Sequence, residues 1–573
     1  MPCGIISVCA GDVLGVCLYQ PLIGCDSDRD FCSLIFQAQA RRASGEIATI
    51  YGKIKKTVKH TLIFGIGSLV KSAFGVLLIP VYTRYLRASE FGVLSLLTIT
   101  LTLVTIVLTF GLNHAFFRHY YETEAAPHRR RIVGSTLIFL IISSSLLTGV
   151  LCLLAPQVSA AVFSGDASKA SLLQLVFLIG FFETLTIVPD SILRANFKSA
   201  RYSALSIISF VFQLFLISYL VIKVDSSVNN VLIGRLAAVI FETILVFIMV
   251  RRELSFSFST SELRGMLAFG GPLIFGQISF TLFMMIDRFF LERYASDREL
   301  GVYAISNTLV SVITVLATVP FSQVWTVMRF SVMNEEGAEE YYSRVLTYIG
   351  FVSMFLALAV AAVAGDGLLR FARNDYWGAA EIIPLLALSA VFDSASRVLN
   401  IGITLNKRTI FAPIVIVIAL AINIGLNFLL IPRYASLGAT ISTLISYGAF
   451  CALRYWASNL FFKVRYEWRR VFTMAAVGAV LIAAFYAIDY SRGQLTNYSY
   501  DDPFRRRALY LSASIKIVLA LSFPFILFAL GFYDERELRK LGEIWRKLFA
   551  ALKRRRLKQK PEIGTDERFD VAD

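Results

Sequence analysis

Several ionisable residues interrupt long apolar runs of the sequence, and these residues could carry chemistry inside a membrane. They are Lys71, Glu183, Arg235, Glu242, Asp393 and Arg397. A charged side chain near the middle of a bilayer costs roughly 2.5–3.5 kcal/mol on insertion scales, so each of these groups is expected to have a partner or a function. The cations among them are suited to holding an anion, and the carboxylates to holding a proton or a small cation.

Two pairs among these residues have helical spacing. Asp393 and Arg397 are four residues apart, which suits an ion pair on one helix. Arg235 and Glu242 are seven residues apart and should share about the same helix face. For both pairs, simple neutralisation within a helix bundle and a functional role remain open.

Three further cations differ in how they are explained. Lys71 has no acidic residue on its own predicted helix, so neutralisation explains it less well. Arg84 and Arg288 lie near the ends of apolar runs, where a long side chain can reach the headgroup region.

The sequence predicts neither a metal site nor a bound cofactor. It has seven Cys, but no CxxC pair. His119 and Glu122 could share a helix face, yet a metal site needs more ligands than these two. No GxxxxGK[ST] motif is present, so we expect no ATP-binding loop.

The composition indicates the elements that must position these residues. Of 573 residues, 57% are apolar and only 17% are charged, and the mean hydropathy is +0.67. These values exclude a soluble enzyme, a disordered scaffold and a fibrous protein. Apolar runs of membrane-spanning length predict an all-α polytopic membrane protein with about fourteen transmembrane helices. The predicted spans are 61–82, 92–113, 132–155, 171–190, 204–222, 231–250, 267–286, 302–323, 345–364, 381–399, 411–431, 438–456, 471–489 and 509–531.

Lys and Arg are concentrated on one side of these predicted spans. That side includes 129–131, Arg251, Arg252, Lys407 and Arg408. By the positive-inside rule it is the cytoplasmic side, with both termini inside. The basic loop at 505–507 opposes this orientation, so it weakens the placement of the last two spans. The net charge of +16 then indicates contact with anionic lipid headgroups, and no nucleic-acid partner is expected.

An internal repeat divides the predicted spans into two halves. Phe64-Gly65, Arg84 and Phe91-Gly92-Val93 in the first half correspond to Phe269-Gly270, Arg288 and Leu300-Gly301-Val302 in the second. Two six-helix lobes that enter the membrane in the same direction follow from this repeat, with a substrate cavity between them. The predicted division is a poorly defined prefix at 1–52, an N-lobe at 61–250, a C-lobe at 267–456, two additional spans at 471–531 and a basic amphipathic tail at 534–573.

Several motifs resemble those of a known family. They are IFGIGSL at 63–69, LIPVYTRYL at 78–86, EFGV at 90–93, NIGLN at 423–427, IPRY at 431–434 and GAT at 438–440. This pattern is similar to the Wzx-like oligosaccharide flippases, which are polysaccharide biosynthesis proteins of the multidrug/oligosaccharidyl-lipid/polysaccharide (MOP) exporter superfamily. The similarity covers about residues 60–490.

The resemblance implies a fold, a substrate and a mechanism. It implies two six-helix lobes around a central cationic cavity, and alternating access in the bacterial inner membrane. The substrate would be a polyprenyl diphosphate-linked oligosaccharide for cell-surface polysaccharide, with membrane lipids and glycan polymerase or export machinery as partners. Candidate substrate-binding cations are Lys71, Arg235, Arg397, Arg288 and Arg84, and candidate ion-coupling residues are Glu183, Glu242 and Asp393.

Other functions remain open at this point. A cation-coupled multidrug antiporter of the same superfamily would need a cavity dominated by acidic and aromatic groups. A membrane-embedded glycan ligase, polymerase or glycosyltransferase would need a sizeable catalytic loop, and the predicted loops do not exceed about two dozen residues. The sequence therefore favours a transporter that is not an enzyme. A scaffolding membrane protein would not need the paired lobes or the charges within the spans.

Overall fold

A computed structural model describes most of the chain. The described residues are 75–122, 125–196, 198–406, 408, 410–491, 503–535, 537–539 and 543. Lys71, the prefix at 1–52 and most of the predicted tail lie outside them. The lobe boundaries, the prefix and the amphipathic tail therefore stay predictions.

Across these ranges the regular structure consists of helices. In chain order they are α1 (Ile79–Tyr85), α2 (Ala88–Leu108), α3 (Leu112–Tyr120), α4 (Ala126–Leu153), α5 (Ala155–Val162), α6 (Ala170–Leu185), α7 (Ile187–Ala195), α8 (Ser199–Tyr219), α9 (Val228–Val250), α10 (Thr260–Met285), α11 (Asp287–Tyr294), α12 (Asp297–Ile313), α13 (Val319–Ser331), α14 (Ala338–Phe371), α15 (Ala379–Leu399), α16 (Ile401–Leu405), α17 (Phe411–Asn459), α18 (Trp468–Ser491) and α19 (Pro503–Ala529). Short 3₁₀ segments cover Ala167–Lys169 and Asn374–Tyr376, and π turns cover Leu220–Val224 and Thr314–Thr318.

Twelve helical segments in the described ranges are long and apolar enough to cross a membrane. The predicted class, an all-α multi-pass membrane protein, is confirmed. The predicted count of fourteen is not confirmed, because the first predicted span at 61–82 lies mostly outside the described residues. The predicted spans 411–431 and 438–456 fall within the single segment α17.

The 49-residue segment α17 is a hairpin of two helices. Its backbone leaves the helical conformation at Ala435, with φ 45° and ψ −124°. The Asn423 Nδ2 atom donates to Ser446 Oγ at 3.3 Å, so the two halves run antiparallel. The tip needs a glycine at 438, since a Cβ there would lie 2.4 Å from the Leu430 carbonyl oxygen.

For description we keep the names of the two predicted lobes and apply them to the described residues: N-lobe for 75–250 and C-lobe for 260–459. In the N-lobe, α6 packs against both α2 and α9, and α8 packs against α9. In the C-lobe, α15 packs between α14 and α17. The sequence of each helix explains this packing, because apolar residues such as Val176, Ile179 and Leu232 are fully or almost fully buried between neighbouring helices.

Two pairs of helices make the main contacts between the lobes. The N-lobe helix α2 crosses the C-lobe helix α12. The C-lobe helix α10 packs against α3 of the N-lobe and, within its own lobe, against α17.

We name the two ends of the bundle by their loops. The Arg87 end carries the loops around residues 84–90, 292–300 and 372–378, and the Arg131 end carries those around 120–131, 251–260 and 331–338.

The last two spans attach to the C-lobe through buried charges. Both α18 and α19 pack on α14. The Lys516 Nζ atom of α19 lies 3.2 Å from Asp366 Oδ2 of α14 and 2.6 Å from Asp489 Oδ1 of α18. Because Lys516 is only 2% exposed, its ammonium group needs these carboxylates as partners.

Candidate functional site

A salt bridge joins two helices inside the N-lobe. The Arg235 Nη2 atom of α9 donates to Glu183 Oε1 of α6 at 3.0 Å. Arg235 is seven residues into α9, or about 10 Å along the helix axis. Glu183 lies near the middle of the membrane-spanning segment Ala167–Ala195. The pair is therefore at membrane depth.

The same two side chains line a cavity of about 280 Å³. The Arg235 side chain is 29% exposed and that of Glu183 is 31% exposed, so a molecule in the cavity can reach both. The rest of the lining, supplied mainly by α8 and α9, is largely polar. It comprises Thr186, Ser206, Ser209, Phe210, Gln213, Ala238, Val239 and Glu242.

The cavity brings together three of the predicted site residues. Arg235, Glu183 and Glu242 all line it, as a shared site requires. The sequence spacing suggested Glu242 as a partner on the same helix, but the salt bridge of Arg235 runs to Glu183 on the neighbouring helix. Spacing along one helix carries no information about this contact between helices.

The C-lobe holds a second group of charges at the end of α15. Arg397 Nη2 donates to Asp393 Oδ2 at 3.0 Å, which is the predicted pair at four-residue spacing. Arg454 of α17 donates from Nη1 to the Ser396 carbonyl oxygen at 3.0 Å and interacts electrostatically with Asp393 and Arg397. Arg397 is therefore the salt-bridge partner of Asp393, and Arg454 is a second cation close to this pair.

Sequence reasoning missed Arg454, which lies inside the apolar run at 438–456. Its guanidinium carbon is 4.1 Å from the centroid of the Phe450 ring. A cation four residues after an aromatic residue on one helix face could have signalled this contact.

The other two predicted cations within the described residues, Arg84 and Arg288, lie outside both groups of charges. Arg84 is exposed in the last turn of α1. Arg288 adjoins Asp287, which is 1% exposed and accepts hydrogen bonds from the Tyr303 hydroxyl at 2.7 Å and from Asn427 Nδ2 at 2.6 Å. The Arg288 Nε atom is itself buried, so reaching the headgroups does not describe this residue well.

A larger cavity of about 600 Å³ opens at the Arg131 end. Glu335, Glu339, Glu340 and Glu467 line it. It lies where the helices end and has an acidic lining, so the smaller cavity is the better candidate for binding an anion at membrane depth. In the described part of the chain, no group of three His, Cys, Asp or Glu residues could hold a metal ion.

Comparison with known sequences decides the family. The sequence profile of the family described as "Polysaccharide biosynthesis protein" matches residues 81–377, about half of the chain. The chain belongs to this family. A protein of the Lsg locus of Haemophilus influenzae is 24% identical over 273 residues, which are 45% of this chain and 63% of that protein. The chain thus spans less than two thirds of the length of that relative.

Two solved structures have a fold similar to that of this chain. The lipid II flippase MurJ, in an inward closed conformation, has a TM-score of 0.66 at 14% identity, covering 82% of this chain and all of MurJ. An inward-facing multidrug resistance transporter of the MATE family, in the MOP superfamily, has a TM-score of 0.58 at 11% identity, covering 68% of this chain and 95% of the transporter. This polysaccharide biosynthesis protein therefore shares the fold of these two proteins. Both of these neighbours are transport proteins by name, a flippase and a multidrug resistance transporter.

Proposed function

We propose that this protein is a flippase that moves a polyprenyl diphosphate-linked oligosaccharide across the bacterial inner membrane by alternating access. The observation that carries the proposal is Arg235, which is held by Glu183 at membrane depth and yet reachable from a polar cavity. Membership of the polysaccharide biosynthesis protein family and the fold of the MOP superfamily support the same function.

The diphosphate is the part of such a substrate that needs the protein. The prenyl chain is soluble in lipid, but an anionic diphosphate is very costly to transfer into a low-dielectric layer without a counter-charge. A guanidinium has five N–H donors in a planar fork that suits phosphate oxygens. The salt bridge to Glu183 involves one Nη atom of Arg235, so other donors of the fork are available to a ligand.

The salt bridge also gives a route to ion coupling. A diphosphate that takes over Arg235 would leave Glu183 without its counter-charge, and a proton or a small cation on Glu183 would compensate. Glu242 lines the same cavity and is the second coupling candidate. An inside-negative potential adds roughly 2.3 kcal/mol per charge per 100 mV in favour of moving anionic charge outward.

The other predicted site residues have assigned roles in this proposal. Arg397 and Arg454 give the C-lobe a second group of cations, with Asp393 as their shared partner and a coupling candidate. Three further cations stay candidates for contact with the substrate as it crosses the membrane: Lys71, Arg84 and Arg288. The Arg131 end is assigned to the cytoplasm, with both termini, and glycan polymerase or export machinery are the proposed partners at the opposite face.

The proposal is tested by replacing Arg235 in cells that make a lipid-linked glycan. We expect Arg235→Ala to lower delivery of that glycan to the outer leaflet by about a hundredfold or more, because the main contact with the diphosphate is lost. Arg235→Lys should retain part of the activity, since it keeps the charge without the fork. The measurement is the amount of glycan exposed at the cell surface, at equal levels of membrane-inserted protein.

Lys223→Ala is the matched control, because Lys223 is an exposed cation of the same lobe near the Arg87 end. It should export normally. If Arg235→Ala and Lys71→Ala both export the glycan at the parental rate, the cationic-cavity mechanism is wrong.

A multidrug antiporter is the second candidate, and the carboxylates of Glu183 and Glu242 in the cavity favour it. The same variants separate the two functions. An antiporter for organic cations should lose drug efflux in Glu183→Gln and keep it in Arg235→Ala, whereas the flippase should lose glycan export in Arg235→Ala.

A further inference from the structure

The proposed function leaves the larger cavity, at the Arg131 end of the C-lobe, without a role. This cavity of about 600 Å³ is bounded by the loop after α13, the first turns of α14 and the segment between α17 and α18. Met333 and Phe462 supply an apolar part of its lining. Four carboxylates supply most of the polar part: Glu335, Glu339, Glu340 and Glu467.

Two of these carboxylates have no counter-charge among the described residues. Glu340 forms a salt bridge with Arg344, one turn along α14, and Arg465 is a cation of the lining. Glu335 and Glu339 are exposed and form no salt bridge with any described side chain. The cavity is therefore a concave site with excess negative charge and an apolar part, which suits a basic peptide with an apolar residue.

The start of the C-terminal tail is fastened beside this cavity. Asp534 and Glu537 both form salt bridges with Arg470 of α18. The Tyr348 hydroxyl of α14 donates to Glu537 Oε1 at 2.7 Å. Arg470 also contacts Glu467 of the cavity lining, with 3.4 Å between Nη1 and Oε2. Because one arginine serves three carboxylates, this anchor adds negative charge next to the cavity.

The chain beyond the anchor supplies the opposite charge. Residues 553–560, which read KRRRLKQK and are called the basic segment below, contain six Lys or Arg and no acidic residue. They begin sixteen residues after Glu537, a stretch that spans about 24 Å as a helix and more when extended. Tyr348 and Glu340 are eight residues apart on α14, or about 12 Å. The basic segment can therefore reach the cavity in either conformation.

We propose that the basic segment docks in this acidic cavity of the same chain, with Glu335 and Glu339 as its main partners. Leu557 within the segment then contacts the apolar part of the lining, at Met333 and Phe462. A short tether gives an effective concentration in the millimolar range, so the modest ion pairs of a water-exposed site are sufficient for binding. The docked segment ties the end of α19 to the loop between α13 and α14.

The docking is tested by forming a disulfide between the two partners. The seven native cysteines are replaced by Ser, and Met333→Cys is combined with Leu557→Cys in the full-length protein. The protein is placed in phosphatidylcholine vesicles that contain one third phosphatidylglycerol and is oxidised mildly with copper phenanthroline. We expect the intramolecular disulfide to form about tenfold faster than when Glu335→Lys and Glu339→Lys are added, because these changes place like charges opposite the basic segment.

The matched control is Glu122→Lys, since Glu122 is an exposed carboxylate at the same end of the N-lobe. It should leave the rate of disulfide formation unchanged. Equal rates with and without Glu335→Lys and Glu339→Lys would overturn the docking. A disulfide that forms only when phosphatidylglycerol is omitted would also overturn it, because the anionic leaflet would then be the partner of the basic segment.

Salt replaces the charge-reversal variant if that variant does not insert into the membrane. At 1 M salt the Debye length falls to about 3 Å, so the rate of disulfide formation should fall about tenfold here as well. A rate that does not fall would overturn the docking. No glycan is needed in this experiment, so its result is independent of the proposed transport function.

Discussion

The two lobes each hold an arginine paired with a carboxylate, but they build the pair differently. In the N-lobe, Glu183 and Arg235 belong to two helices and line a cavity. In the C-lobe, Asp393 and Arg397 are four residues apart on one helix. A pair between helices changes its geometry when the helices move, whereas a pair within one helix keeps its geometry as that helix moves as a rigid body.

This difference suggests a division of labour between the lobes. The N-lobe pair is suited to exchanging partners, because a small separation of α6 and α9 lengthens the salt bridge. The C-lobe pair stays together, and the additional cation Arg454 leaves this group with more positive than negative side chains. The C-lobe group is therefore suited to a fixed supporting contact with the anion, and the N-lobe pair to binding the anion through Arg235 while Glu183 couples its movement to an ion.

Exchanging the charges of the N-lobe pair is the strongest test of this comparison. The double variant Glu183→Arg with Arg235→Glu keeps a salt bridge in the N-lobe but moves the cation to another helix. We expect normal membrane insertion and a loss of glycan export of about a hundredfold, because the cation no longer lies where the diphosphate binds. Export and protein level are measured together. Restored export would show that neutralisation is the only role of the pair.

The second cation of the C-lobe gives a smaller expected effect. Arg397→Ala and Arg454→Ala should each lower export about three- to tenfold, because each variant keeps the other arginine of the C-lobe group. The double variant should lose more than the product of the two single losses, since residues that share a ligand are not additive. Export rates of the three variants check this, and strictly multiplicative losses would contradict a shared site.

The smallest expected effect is on stability. The coupling energy between Asp393 and Arg397 should be about 1 kcal/mol, because Arg397 is 32% exposed and Arg454 also interacts electrostatically with Asp393. A double-mutant cycle of Asp393→Asn and Arg397→Gln, followed by thermal unfolding in detergent, measures this coupling. The cycle of Glu183→Gln and Arg235→Gln is the comparison. A pair that exchanges partners should have the weaker coupling, so a larger coupling energy on the N-lobe side would contradict the two roles assigned above.

Much of the fold was predictable from sequence because it depends on local patterns. Apolar length located the spans, and four-residue spacing identified the Asp393–Arg397 pair. The repeat placed Gly92 and Gly301 at equivalent positions. Nothing in either helix alone indicated that a Cβ atom on Gly92 would lie 3.0 Å from the Gly301 backbone nitrogen. The break of α17 at Ala435 lay between two predicted spans.

The candidate site was predictable only in part. Glu183 and Arg235 are 52 residues apart, and their contact depends on how α6 packs against α9. Arg454 was missed because one charge near the end of an apolar run does not shorten it below membrane-spanning length. Asp287 precedes Arg288 at the end of a predicted span, and the folded chain buries it against Tyr303, Thr443 and Asn427, which no pattern within one helix indicates.

The buried ion cluster around Lys516 limits how far the protein can be shortened. A chain that ended at residue 459 would remove Lys516, the ammonium partner of Asp366, together with the two spans that cover this side of α14. The helices α18 and α19 therefore supply the charge that neutralises a buried carboxylate of the C-lobe. A minimal twelve-span version would need an apolar residue in place of Asp366.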